Sequence, residues 1–298
     1  MATKQFHGGW PAMATPATPD GDVDGAMTAQ LTEYLIGKGI GGLYLSGSTG
    51  EGVFLSVAER RQVTEGVMAQ VAGRVPVIVH VGTVATRHAV ELAKHAQEAG
   101  VDGVASILPP FRRSYQETLT HYEAIAAAAP DIGFYPYLFG GEVDAISLMR
   151  DLQHRIPNLA GAKYTGPNLY ELEGVLQLGE GRWTIFSGMD EICAFARMVG
   201  TTANIGTTLN LMPGVYREMH TCIDAGDFMR ARDLQAHANR VTRVLHRFGV
   251  FGALFEGLRL LGMDCGEARL PREPMAEEQK EAFREALTSA GFEAAAAM

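Results

Sequence analysis

The 298-residue chain reads as an α/β protein, a (β/α)8 TIM barrel with a C-terminal helical extension. Three observations predict this. Short, continuous apolar runs recur along roughly the first 200 residues, segments of helical spacing separate them, and beyond Leu211 only helical patterns continue. Unbroken apolar strands alternating with amphipathic helices mark a parallel sheet covered by helices. Eight such units suggest a closed barrel, with a doubly wound open sheet as the alternative. The expected organisation is a barrel over residues 1–210 and an extension packed on it over residues 211–298.

The strand candidates, in order, begin with WPAMATP (Trp10–Pro16), GGLYLSG (Gly41–Gly47), VPVIVHVG (Val75–Gly82) and GVASILPP (Gly103–Pro110). IGFYPYL (Ile132–Leu138), LAGAKYT (Leu159–Thr165), WTIFSGM (Trp183–Met189) and TANIGT (Thr202–Thr207) follow. Ser56 with Glu59, and Ser114 with Glu117, stand at capping-box spacing and predict helix starts. The closing EAAAAM is expected to fray.

Composition narrows the function classes. A formal net charge of −9 without a basic cluster argues against a nucleic-acid partner. No apolar run is long enough for a membrane span, and the N-terminal stretch lacks a signal-like core. Cys193, Cys222 and Cys265 form no metal-ligand spacing, and reduced thiols in a cytoplasmic protein are expected. Neither a metal nor a cofactor is implied.

Chemistry in such a barrel belongs where strands end and βα loops begin. The stretch SGSTGEG, Ser46 to Gly52, has that position. Its glycines admit close backbone approach, and Ser48 and Thr49 add hydroxyls. It reads either as a cradle for a small carboxylate or phosphate, or as a tight capped turn. Lys163 is the one charge in its strand, where it must face the barrel interior or the helix layer. Desolvation favours a neutral, nucleophilic amine, so a Schiff-base role is one reading; a side chain snorkelling to water is the other. Tyr135 and Tyr137 share a strand face, as a proton carrier or as core aromatics. Gly188, Asp190 and Glu191 follow the next strand; the acids either complement a helix dipole or bind substrate hydroxyls. His80 and His88 read as structural.

Together these motifs resemble the pyruvate-dependent class I aldolases, the superfamily of N-acetylneuraminate lyase and dihydrodipicolinate synthase. The resemblance runs from Trp10 to about Pro274 and rests on GSTGE after strand two, a tyrosine ending strand five, the lysine in strand six, SGMDE, and IGTT. It implies a Schiff-base lyase acting on a 2-oxo sugar acid such as N-acetylneuraminate, with release of pyruvate. By the resemblance, Ser48 and Thr49 hold the pyruvate carboxylate, Lys163 forms the imine, and a tyrosine shuttles the proton. Thr165 contacts substrate, and Gly188, Asp190, Glu191 and Thr207 hold the hydroxylated chain. It also implies a homotetramer.

The lyase branch is nearest. GSTGE replaces the synthase's usual GTTGE, no arginine follows the tyrosine in YLFGGEV, and Arg112 falls near the position of a synthase tyrosine. Alternatives are a 2-keto-3-deoxy sugar acid aldolase or dehydratase, a synthase-like enzyme, and a keto-acid-binding barrel without turnover. The loop after strand five is about two residues short. Alignment from its N-terminal side selects Tyr137 as catalytic, and alignment back from Lys163 selects Tyr135. Leu138 and Phe139, unusual here, point toward a different or aryl substrate.

Overall fold

In the computed structural model of the protein, residues 4–111, 113–141 and 143–298 are described. Eight strands follow in chain order: β1 (Gly8–Pro11), β2 (Leu43–Leu45), β3 (Val77–His80), β4 (Gly103–Ile107), β5 (Gly133–Phe139), β6 (Gly161–Thr165), β7 (Thr184–Ser187) and β8 (Ala203–Gly206). All pair in parallel, in the order β1-β8-β7-β6-β5-β4-β3-β2. A parallel bridge between Ala12 and Tyr44 joins β1 to β2 and closes the barrel. The expected (β/α)8 architecture is therefore the observed one, and the open sheet is not. The first strand begins two residues earlier than its apolar run and ends at Pro11.

The helices form where local chemistry directs them. α1 (Gly25–Gly37) is capped by Asp24, whose carboxylate accepts from Met27 N. α2 (Val57–Val71) and α4 (Tyr115–Ala127) start at Ser56 and Ser114, each with a complete capping box. Such a cap contributes about 1 kcal/mol. α3 (Thr86–Glu98), α5 (Ala145–Leu152), α6 (Leu169–Gly179) and α7 (Cys193–Met198) complete the alternation. α8 (Pro213–Asp224) follows β8 and packs against β1. The division expected at 210/211 thus leaves the eighth helix of the repeat on the extension's side. α9 (Phe228–Phe248), α10 (Val250–Leu260), α11 (Glu277–Ala290) and α12 (Phe292–Ala297) follow.

The expectation of a frayed tail is overturned. Residues 293–297 of this stretch lie in α12, which packs on α8 and α9 and buries Ala295 and Ala296, while Gly214 meets the Met298 backbone. A run of alanines has high helix propensity, and small side chains let the helix seat closely. All three cysteines are buried and unpaired. No helix among the described residues is long and apolar enough to cross a membrane.

Strand alternation separates two cores. Outward residues such as Leu43, Leu45, Phe134, Leu138, Ala162 and Tyr164 join the helices in one large cluster. Inward residues form a smaller cluster that includes Phe6, Trp10, Tyr44, Tyr135 and Phe186. This second cluster fills the barrel, with Tyr44 at its upper edge.

Candidate active site

Because Ala162 and Tyr164 belong to the outer layer, Lys163 faces the barrel interior. It is only 5% exposed. Its Nζ lies 4.2 Å from the ring centroid of Tyr137 and 4.6 Å from that of Tyr44. Parallel register sets this meeting, since Tyr137 is opposite Lys163 across β5 and β6.

Tyr135 lies two residues down the same strand, about 7 Å deeper at the usual strand rise. There its ring meets Phe186 at 5.8 Å and Phe6 at 6.1 Å, and burial pushes its phenol well above the ordinary range. The structure thus brings Tyr137, not Tyr135, to the lysine. Pro136 between them stands opposite Ser106 and removes one backbone donor without breaking the register.

The SGSTGE loop is bracketed by two residues in the left-handed region, Ser46 (φ 54°) and Glu51 (φ 56°). Such conformations cost about 1 kcal/mol or more in non-glycine residues and need support from their surroundings. The loop obtains it from several sides. Thr15 Oγ1 donates to Gly50 O at 2.7 Å, and Glu51 N donates to Ser48 O at 3.2 Å. A Cβ on Gly47 would come within 2.6 Å of the Tyr44 ring, so only glycine permits this approach. Thr49 is buried, and its hydroxyl meets that of Thr207 at 2.8 Å. Ser48 is exposed at the loop's tip. The loop is therefore a held structure whose hydroxyls reach across to the end of β8.

His80 braces the same region. Its Nε2 accepts from Ile107 N at 3.0 Å, which requires the proton on Nδ1, and Nδ1 donates to Ser46 O at 3.2 Å. Burial, then Arg60, then Lys163 hold it far below the usual histidine range, so the ring is neutral. Arg60 of α2 is itself buried and donates to the carbonyls of His80 and Gly82; burial brings its pKa down to about 10. His88 lies apart, beside Arg87 on α3.

After β7 the chain passes close beside the lysine. A Cβ on Gly188 would fall 1.8 Å from Thr165 Oγ1 and 3.1 Å from Lys163 Cε. Asp190 is buried in a short 3-10 turn, and its Oδ2 accepts from both N and Oγ1 of Thr208 at 2.8 Å. Burial raises its carboxyl to about 6, against the Thr208 hydrogen bonds that lower it. Asp190 opens the 3-10 turn that leads into α7 and makes no side-chain cap on α7, so its hydrogen bonds go across to Thr208 and not to its own helix. Glu191 is different: its Oε1 meets His246 Nε2 of α9 at 3.1 Å, a half-exposed pair directed toward the extension. α9 also holds the backbone of this turn through Gln235 to Asp190 O and Asn239 to Glu191 O.

Among the described residues, the buried Tyr44 Oη, Ser46 Oγ, Thr165 Oγ1 and Asp190 Oδ1 around this space have no hydrogen-bond partner. Buried groups of this kind carry hydrogen-bonding capacity for a ligand. Arg112 lies outside the described residues; Arg113 donates to Pro109 O and Phe111 O of its own loop. Leu138 packs into the helix layer and does not face the site, whereas Phe139 is 46% exposed at the mouth.

The sequence reading missed Tyr44, Thr208 and the bracing by Arg60. Tyr44 carried a usable signal, since it alternates with Leu43 and Leu45 and must face opposite to them.

Comparison with known proteins adds to this geometry. The sequence profile of the dihydrodipicolinate synthetase family matches residues 5–290. The chain is 32% identical over 291 residues to N-acetylneuraminate lyase of Rhizobium meliloti (strain 1021), covering 95% of each chain. The solved N-acetylneuraminate lyase of Proteus mirabilis superposes with a TM-score of 0.92 at 29% identity, covering 97% of this chain and 100% of that one. A catalytic lysine mutant of the Ruminococcus gnavus sialic acid aldolase superposes with a TM-score of 0.92 at 28% identity, covering 96% of each.

Proposed function

The chain belongs to the dihydrodipicolinate synthetase family, and we propose that it is a class I lyase that cleaves a 2-oxo sugar acid of the N-acetylneuraminate type and releases pyruvate. The observation that carries this reading is the placement of Lys163, buried at the barrel mouth between the rings of Tyr137 and Tyr44. The similarity to N-acetylneuraminate lyases over 95% of the chain supports the substrate class.

In this mechanism Lys163 Nζ attacks the C2 carbonyl and water leaves, giving an iminium. The C4 hydroxyl gives up its proton, the C3–C4 bond breaks, and the aldehyde departs. The bond's electron pair passes into the iminium and leaves an enamine. Protonation at C3 and hydrolysis then return pyruvate and the free lysine. Tyr137 is the group that carries the proton, and Tyr135 belongs to the core beneath. Ser48 and Thr49 hold the substrate carboxylate. Thr165, Gly188, Asp190 and Thr207 line the hydroxylated chain, with Glu191 at its outer end. No cofactor enters these steps. The assembly taken with this reading is a homotetramer, which light scattering in solution tests.

Borohydride added with pyruvate should reduce an adduct onto Lys163, located by mass spectrometry, and N-acetylneuraminate should release pyruvate. An adduct on another residue, or none, removes the mechanism.

One observation favours a second reading. Phe139 is exposed at the mouth with its ring 6.4 Å from that of Tyr137, an apolar group where a polyhydroxylated chain would pass. That suits an aryl-bearing 2-oxo acid, or a 2-keto-3-deoxy sugar acid whose hydroxylated chain is too short to reach Phe139, cleaved or dehydrated through the same imine. A panel of 2-oxo acids separates the two, with pyruvate release reading cleavage and substrate consumed without pyruvate reading dehydration.

A further inference from the structure

The segment between α10 and α11, residues 265–275, passes behind the SGSTGE loop. It is anchored where Ala17 N donates to Cys265 O at 3.0 Å. From it two arginines converge on Glu51, whose side chain is fully buried. Arg269 gives its backbone N–H to Glu51 Oε1 at 3.0 Å and its guanidinium to Glu51 Oε2 at 3.2 Å, with a further bond to Thr15 O at 2.7 Å. Arg272 donates to Ser48 O at 2.8 Å and to Glu51 Oε1 at 3.5 Å. Its guanidinium stacks over Phe251 at 3.2 Å from the ring centroid.

Burying a carboxylate and two guanidiniums is expensive unless each is paired, and replacing a whole cluster of this kind by well-packed apolar residues is often neutral for stability. The clasp is therefore weak evidence for a stabilising role alone. Its geometry has a more specific consequence. In a trans peptide the C=O and the following N–H point in opposite directions. Ser48 O is held on the strap side by Arg272 and by Glu51 N. The N–H of Thr49 must then face away from the strap. The cluster of one carboxylate and two guanidiniums also leaves a net positive charge behind this peptide.

We propose that Arg272 is a positioning residue for carboxylate binding, orienting the Ser48–Thr49 peptide so that its N–H meets the carboxylate of a 2-oxo acid. The proposal rests on the cradle reading given above. Arg272 touches no reacting atom and acts through Ser48 and Glu51.

The test is the pyruvate concentration that half-saturates borohydride trapping, measured by intact mass on wild type, Arg272→Met and Arg272→Lys, together with KM and kcat. Loss of orientation removes binding common to ground and transition states. Half-saturation and KM should therefore rise about tenfold or more in Arg272→Met, while kcat stays within about threefold. Arg272→Lys restores one donor to Ser48 O and should recover most of the loss. Unchanged half-saturation in Arg272→Met, with only a lower Tm or a smaller trapped fraction, overturns the proposal and makes the strap purely structural. Should Arg272→Met fold poorly, Glu51→Gln carries the same test: it keeps the volume and loosens the clasp, and an unchanged half-saturation there overturns the proposal equally. A wild-type protein that traps no pyruvate overturns the Schiff-base reading, and this proposal with it.

Discussion

The barrel interior has two storeys built from similar side chains. In the lower one Phe6, Trp10, Tyr135 and Phe186 pack ring to ring, with Phe6 and Trp10 centroids 4.8 Å apart and Trp10 and Phe186 5.2 Å apart. In the upper one Tyr44 and Tyr137 face an amine instead of each other. The lower storey is packed aromatic and apolar side chains. The upper storey holds buried polar atoms that have no hydrogen-bond partner among the described residues. Two tyrosines one pleat apart on β5 thus take opposite roles, and what each ring faces, not its residue type, separates them.

The sharpest way to break this comparison is at Lys163. Lys163→Ala should reduce turnover to background while the Tm and the circular dichroism stay near wild type. Turnover above about one-hundredth of wild type would remove the covalent mechanism. Phe186→Ala makes the converse change in the lower storey. It should cost about 3–5 kcal/mol in denaturant unfolding while the folded fraction keeps its KM. A mild stability change there would mean that the plug does not carry the barrel.

Tyr137→Phe should lower kcat by roughly 10²-fold or more, and Tyr135→Phe should act mildly on activity. The reverse pattern in steady-state kinetics would assign the proton to Tyr135. Asp190→Ala should weaken a polyhydroxylated substrate relative to a short 2-oxo acid by roughly 10–100-fold in kcat/KM, because a buried donor left without its acceptor costs about 1–3 kcal/mol. A uniform loss across long and short substrates would refute the sugar-chain role.

The smallest effect is a pH dependence. Asp190 holds its proton up to about pH 6 when folded, whereas its ordinary value is 3.8. The folded protein therefore binds more protons between these values. The stability drawn from this group is full below about pH 4 and lost as pH rises through about 6. Wild type should gain on the order of 1 kcal/mol relative to Asp190→Asn between pH 7 and pH 5, read from paired unfolding curves. A constant difference across this range would mean that Asp190 is ionised throughout.

Periodicity alone carried much of this protein. Alternating apolar runs and helical segments established eight βα units, the two capping boxes marked helix starts, and a lone charge in an apolar strand singled out Lys163. Each is a local property, set by side-chain direction along one strand or by hydrogen bonds within one turn, so each is legible in a short window.

What the tertiary structure alone decided depends on neighbours distant in the chain. The alternation on β5 leaves both tyrosines on one face; only the register of β5 against β6 puts Tyr137 opposite Lys163. Leu138 looked like a substrate contact by sequence position, yet strand alternation turns it into the helix layer. Glu51, one letter of the SGSTGE stretch with no local partner to mark it, pairs with arginines more than two hundred residues away. The alanine-rich tail orders because α8 and α9 offer it a surface. Such contacts form only when closure of the sheet brings separate segments together, and no local pattern records that closure.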